Sequence, residues 1–319
     1  MPVARFLRWC AVVAACLASA AGAHAQVARD CPPGPALDKL QAPPAPGRDR
    51  GFLWVLRKDG RPLWLYGTLH VARPEWVVPG ARVLGALRAS DTVALELDLT
   101  DPESLLQALR PAEAGSQERI LGAALAARLE AALDAACAPP AIKAQRPFMQ
   151  AMALTVMEAR RAGLHAELSI DAILTGLAQR TGKAIVGLET AAQQMAALTP
   201  ESPDDERELV RRMLEQVASG EAQQMLQRTA DVWARGDFDV LADYPRWCKC
   251  TDTAAERRLM ARLLDGRNAA IAGKIAALHA QGKRVFAGVG ALHFTGAKGL
   301  VRLLAAQGFE VERIAFERD

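Results

Sequence analysis

Two histidines in this chain stand three residues after a glycine at the end of an apolar run. They are His70 in "LWLYGTLH", Leu63 to His70, and His293 in "VFAGVGALH", Val285 to His293. Each lies just past an expected buried strand, where open α/β sheets place their ligands. A glycine there permits a positive φ or lets another backbone or a ligand come close. Two carboxylates are placed the same way, Glu96 after "TVAL" and Glu189 after "AIVGL". A charged carboxylate at the end of an apolar strand is costly unless it is paired, hydrogen-bonded or bound to a cation. Gathered at one sheet edge, His70, His293, Glu96 and Glu189 would form a mixed imidazole and carboxylate set. Such a set suits Zn, Mn, Fe or Co and leaves positions open for water. The plainer alternative has the histidines as satisfied loop residues and the glutamates as partners of arginine or of backbone amides.

Arg267 and Asn268 open the helix that precedes the second motif. They could bind a substrate oxyanion and orient a ligand, or serve as a salt-bridging arginine and a cap-region amide. His165, in a loop with Glu167, is a candidate accessory group, and His279 reads as a surface or C-terminal-turn histidine. Other catalytic schemes lack their signatures. The chain has no Gly-x-Ser-x-Gly elbow, His-Glu-x-x-His helix, Walker loop or Gly-x-Gly-x-x-Gly fingerprint.

The elements that must position these residues follow from periodicity. "FLWVLRKDGRPLWLYG" predicts a hairpin over about 52–57 and 62–66, turning at Asp59-Gly60. A helix near 80–89 leads to the strand "DTVALELD". Beyond Thr100 the apolar spacing lengthens to three and four, which predicts helices over about 102–110, started by Asp101-Pro102, 117–136 and 144–162. A helix over 170–180, a Thr-Gly-Lys turn and a short strand ending at Glu189 follow. Ser202 caps a further helix, and helical texture runs to about 265 with breaks near Gly236 and over 244–250. The last section repeats the plan of residues 62–98: strand, Gly-x-x-His loop, helix, strand. The expectation is an α/β fold with a central mixed sheet built from two such halves, and a largely helical insert over about 100–165 and 200–265.

Ahead of this single domain, 51–319, the sequence predicts a signal peptide over 1–25 and a proline-rich leader over 26–50. Arg5 and Arg8 precede an apolar stretch that ends at Ala23-His24-Ala25, a small-x-small cleavage pattern. An alternative treats Val13-Ala14-Ala15-Cys16 as a lipobox that leaves a lipid anchor on Cys16. Cleavage after residue 25 removes two arginines and no acid, so the formal charge of +3 falls to +1. That balance gives no reason to expect nucleic acid as a partner, and no later apolar run is long enough for a transmembrane span. Cys31, Cys137, Cys248 and Cys250 would then meet an oxidising compartment, periplasmic or extracellular, where one or two disulfides form. Cys248-Lys249-Cys250 could also be read as a soft-metal ligand pair.

The blocks "LWLYGTLHVARPEW", "VALELD", "GKAIVGLETAAQQM", "DGRNAAIAGKI" and "VFAGVGALHFTGAKGLVRLLAAQGFEVERI" resemble, in order, the signature blocks of the TraB/GumN family, which is related to the Tiki metalloproteases. The resemblance covers about residues 52–318. The Tiki branch uses its two Gly-x-x-His histidines with acidic residues to hold a divalent cation, Mn or Co like, and cleaves peptide bonds. The resemblance therefore implicates His70 and His293 as ligands, Glu96 and Glu189 as carboxylates, and Arg267 and Asn268 as site residues. The wider fold group resembles haem-binding ChaN-like proteins and erythromycin esterases, with the site at one edge of an α/β sheet. The leading expectation is a secreted hydrolase dependent on Mn, Co or Zn and acting on a peptide or small molecule. One glutamate would serve as general base, with Arg267 steadying developing charge. The competing expectations are a haem- or ligand-binding protein and an esterase-like hydrolase that uses no metal.

Overall fold

The computed structural model of the chain describes residues 31, 34–35, 46–108 and 110–316. The expected signal peptide, the Cys16 alternative and most of the proline-rich leader lie outside the described residues.

Strand β1 (Phe52–Lys58) pairs antiparallel with β2 (Arg61–Thr68), Phe52 opposite Gly67. Asp59 and Gly60 turn between them with φ of 53° and 71°. Two positive φ values in a two-residue loop match the right-handed twist of the flanking strands, which is why Asp-Gly predicts the turn. β3 (Thr92–Leu95), β4 (Ala184–Gly187), β5 (Val285–Gly290) and β6 (Glu310–Ile314) complete a mixed six-stranded sheet of order β4-β3-β5-β2-β1-β6. β4, β3, β5 and β2 run parallel, whereas β1 opposes both β2 and β6.

A parallel strand covered on both faces reads as an unbroken apolar run. β3 is buried throughout and β5 as far as Val289. The four parallel strands therefore end side by side, followed by Glu189, Glu96, His293 and His70 in that order across the sheet. This register makes neighbours of residues far apart in sequence. The plan of strand, Gly-x-x-His, helix and strand occurs twice, through the helices Ala81–Ala89 and Leu300–Ala306. The strands of the two segments interleave, with β5 between β2 and β3.

The helical insert has a core of its own, in which Leu129, Leu133, Phe148, Leu154, Val210 and Leu214 are buried together. The single helix expected over 117–136 is two, Ser116–Leu121 and Ala123–Ala135. Gly122 separates them at φ 73°, a conformation that interrupts the helical ladder and that glycine adopts at little cost. Ser202 Oγ accepts from Asp205 N and caps Pro203–Ala218 as its position predicts. Cys248 and Cys250 form a disulfide across Lys249, so they are not a metal-ligand pair in this state. Cys137 is also disulfide-bonded. Among the described residues no helix is long and apolar enough to cross a membrane.

Candidate functional site

His70 lies two residues past β2, on a segment tied to the chain before Ile170. Ala72 and His165 exchange backbone hydrogen bonds of 3.0 and 2.8 Å, and Ile170 N donates to Leu69 O at 2.9 Å. This docking brings Asp171, in the first turn of the helix Ile170–Arg180, beside His70. Asp171 Oδ2 is 3.1 Å from His70 Nδ1, while its Oδ1 accepts from Thr68 Oγ1 at 2.8 Å. An ionised carboxylate only accepts, so Nδ1 carries the proton and Nε2 is left for the cleft.

His293 sits in a 3₁₀ turn, Ala291–Phe294, directly after β5. Phe294 stacks on Trp54 of β1 with ring centroids 4.8 Å apart, which fixes the turn against the sheet. Asn268, buried in the helix Asp265–Ala280, donates Nδ2 to His293 O at 3.3 Å and to Lys298 O at 2.9 Å. With its amide nitrogen so engaged, Asn268 turns Oδ1 towards His293 Nδ1, at 2.5 Å. The ring thus donates from Nδ1, and its Nε2 lone pair accepts from Arg267 Nη1 at 3.3 Å.

Arg267 joins the two carboxylates. Its Nε lies 3.0 Å from each Glu189 oxygen, and its Nη2 contacts Glu189 and donates to Glu96 Oε2 at 2.6 Å. Glu96 also accepts Gly290 N on Oε1 at 2.7 Å and Gln194 Nε2 at 3.4 Å. The three charged side chains are nearly sealed from solvent, Arg267 at 10% exposure, Glu96 at 6% and Glu189 at 5%. Burial pushes the Glu96 carboxyl up, but His293, His70, Arg267 and the Gly290 amide outweigh it and hold it down at about 2.

The groups converge. A β-carbon on residue 290 would meet Glu96 Oε1 at 3.0 Å, His293 Cδ2 at 3.6 Å and His70 Nε2 at 3.9 Å. Gly290 has φ −48°, so glycine is needed here for space and not for backbone conformation. The point opens into a cleft of about 420 Å³ whose polar lining includes His70, Glu96, Gln194, Arg267 and His293. Met152, Leu198 and Leu241 are among its apolar walls, whereas Glu189 does not line it.

The donor set suits a borderline divalent cation. A second residue holds Nδ1 of each imidazole, the arrangement that fixes tautomer and orientation in histidine metal sites, while Nε2 of His70 faces the cleft and Nε2 of His293 meets Arg267. Among the described residues no group of three His, Cys, Asp or Glu side chains already forms a metal cage. Arg267 occupies the position between the two carboxylates.

Residues 52–313 match the TraB/PrgY/gumN family. The chain belongs to this family. It is similar to the uncharacterized protein YbaP of Escherichia coli (strain K12), 26% identical over 155 residues that cover 47% of this chain and 58% of that protein. It is also similar to the uncharacterized protein YbaP of Shigella flexneri, 28% identical over 134 residues, 42% of this chain and 50% of that one. The chain thus spans between half and three-fifths of the length of these relatives. No solved structure matches it.

In this member of the TraB/PrgY/gumN family, five of the six residues selected by type and spacing, Glu96, Glu189, Arg267, Asn268 and His293, are joined by hydrogen bonds, and the sixth, His70, faces them beside Gly290. Asp171 and Gln194 belong with them and were not foreseen. Asp171 reads as an ordinary first-turn acid, and its one signal is a carboxylate close behind a serine cap and ahead of a buried helix face. His165 does not join the cluster. It is buried, its Nδ1 has no partner among the described residues, and Glu167 pairs with Arg160 instead. His279 lies in a C-terminal turn, but it is buried rather than at the surface, with Nε2 3.2 Å from Arg61 O.

Proposed function

We propose that this protein is an exported, periplasmic hydrolase of peptide-like bonds that depends on Mn, Co or Zn. The observation that carries the reading is the convergence of His70, His293 and Glu96 on the space beside Gly290, with Asp171 and Asn268 holding the far side of each imidazole. His70 and His293 through Nε2, with Glu96, would hold the cation. Such an ion, when bound, supplies a Lewis acid for the scissile carbonyl and lowers the pKa of a water. Glu96 is the carboxylate that reaches the cleft and so the one that can accept the water's proton or share in ligation. Glu189, outside the cleft, is a positioning residue: its grip on Arg267 aims the guanidinium at charge developing on substrate oxygen. A fold like that of the ChaN-like proteins and erythromycin esterases, which the resemblance implies, would likewise put the site at this sheet edge.

Arg267 lying between the carboxylates favours a second reading, in which His70 and Asp171 carry the proton and no cation takes part. Metal analysis of the purified protein decides between them, together with hydrolysis of a peptide mixture with and without added Mn or Co and after chelation. The first reading expects bound divalent metal, loss of cleavage on chelation, and recovery on adding metal back. Cleavage that persists in chelator and is lost in His70→Ala would transfer support to the second. A protein that binds no divalent cation and cleaves nothing, but gives a Soret band with haem that is lost in His70→Ala and His293→Ala, would sink both.

A further inference from the structure

A second cavity adjoins the cleft. It has a volume of about 570 Å³ and is lined by Gln107, Arg110, Ser116, Arg119, Arg146 and Glu113 among others. The two hollows are lined from the same two helices, Pro147–Glu158 and Ala191–Leu198. Met152 lines the cleft and Met149 the outer cavity, one turn apart on the helix Pro147–Glu158. Gln194 and Leu198 line the cleft, while their chain neighbours Met195 and Thr199 line the outer cavity. Of these six residues three, Met149, Met152 and Met195, are half-buried methionines. Methionine is unbranched and polarizable, and surfaces rich in it accept side chains of varied shape.

The outer cavity is positive. Three arginines face one glutamate on its walls. Arg119 is neutralised by Glu113 at 3.2 Å, and Arg146 is held by the fully buried Glu206 at 2.7 Å. Arg110 is exposed, has no ion-pair partner among the described residues, and is the charge left over. From Met152 to Arg146 is six residues of one helix, ~9 Å of axis at the α-helical rise. An extended chain covers that length in about three residues.

We propose that the outer cavity is a substrate subsite for a carboxylate, held by Arg110. The ligand is an extended peptide that carries an acidic side chain or its C-terminal carboxylate a few residues from the bond in the cleft, with apolar residues of loose specificity over the methionines between the two hollows. The peptide class rests on the hydrolase reading above; the acidic preference rests on Arg110 and the cavity.

Two matched sets of fluorescent decapeptides test it, with Glu or Gln placed at each position in turn around a central apolar pair. Binding is read by anisotropy at low and high salt, and cleavage by chromatography with Mn or Co present. The expected result is about fivefold tighter binding of Glu over Gln at one position, weakened by salt as for a charge-assisted contact near solvent. Arg110→Gln should abolish that preference, and Arg110→Glu should turn it towards Lys. Equal binding of acidic and amide peptides, or a Glu preference that survives Arg110→Gln, overturns the subsite. A preference that is present and lost with Arg110, with no peptide cleaved, upholds the subsite and removes only the hydrolase reading.

Discussion

The two Gly-x-x-His motifs have the same spacing and opposite physics. His70 is 68% exposed at its side chain and backed by the anion Asp171. His293 is 3% exposed and backed by the neutral amide of Asn268. Desolvation lowers the His70 pKa, but the charge and hydrogen bond of Asp171, helped by Glu96, more than reverse this and raise it to about 9. For His293 desolvation wins. Glu96 raises it, Arg267 and His70 lower it, and it falls to about 4. The metal-free site at neutral pH therefore pairs a proton-bearing imidazole with a neutral one whose lone pair already accepts from Arg267. The glycines differ too. Gly67 is confined by the Ala291 backbone and Phe52, each 3.3 Å from where a β-carbon would lie, whereas Gly290 keeps open the space between Glu96 and the two rings. A shared motif here marks a shared location, and the partners decide what each copy can do.

The largest way to break the asymmetry is Arg267→Met. It strips His293 of its donor, leaves Glu189 buried without its ion-pair partner and removes one of the groups that stabilise the Glu96 carboxylate, which costs about 3–5 kcal/mol for a broken buried pair. The destabilisation should depend on pH. In the native protein the Glu96 pKa lies below its ordinary value, so its stabilising contribution is present above about 4.5 and is lost as pH falls towards about 2. In the variant the Glu96 pKa rises towards its ordinary value, so the destabilisation relative to the native protein should be smaller at a pH of about 3 than at pH 7. Denaturant unfolding at both pH values checks this; equal destabilisation at the two would refute the account of Arg267 as the clamp of both carboxylates.

Next in size is a pair of glycine substitutions. Gly67→Ala and Gly290→Ala both overpack, at about 1–3 kcal/mol each. Only Gly290→Ala pushes on Glu96 Oε1, which Arg267 and the residue 290 amide hold in place. A displacement of about 1 Å there should lower the proposed hydrolysis on the order of 100-fold. Gly67→Ala should lower the melting temperature with a far smaller effect on turnover. Comparable losses of turnover in both would mean that the two glycines serve the site in the same way.

How much of this was legible in the sequence depended on how local each signal was. The hairpin, the strands before Glu96, Glu189 and His293, and the cap at Ser202 are written in adjacent residues and stand where expected. The convergence of the strand ends follows once the strands are taken as parallel, because carboxyl ends of parallel strands share an edge. Gly122 was overlooked because the apolar periodicity of 117–136 runs straight through it. The insertion of β5 between β2 and β3 is a matter of strand order, which no short segment encodes. Arg267 illustrates a deeper limit. Its residue type is equally consistent with a substrate contact and with a structural ion pair, and the fold makes it hydrogen-bond both glutamates and His293 at once. Asp171 was missed for the same reason: an acid in a first turn is the common way to meet the helix dipole, and only tertiary docking turns it onto His70.

Exchanging the two imidazole partners is the gentlest perturbation and isolates the electrostatic cause of the asymmetry. Asp171→Asn keeps a hydrogen-bond acceptor at His70 Nδ1 and removes the charge, so the His70 pKa should fall from about 9 towards the ordinary histidine value. Asn268→Asp adds a charge beside a ring now near 4, so the His293 pKa should rise, with burial still resisting protonation. NMR titration of the imidazole C–H signals in metal-free protein reads both directly. Each exchange also changes the basicity of Nε2, and loss of such an outer partner typically alters metal affinity about 10- to 100-fold. The sign separates the two effects. Asp171→Asn should weaken metal binding at a pH above 9, where His70 is deprotonated in both proteins and only ligand basicity remains. At neutral pH the lower His70 pKa offsets part of that loss, because less work is needed to remove the proton. A variant in which His70 and His293 keep their original pKa values would show that desolvation and Arg267, not Asp171 and Asn268, set the two histidines apart.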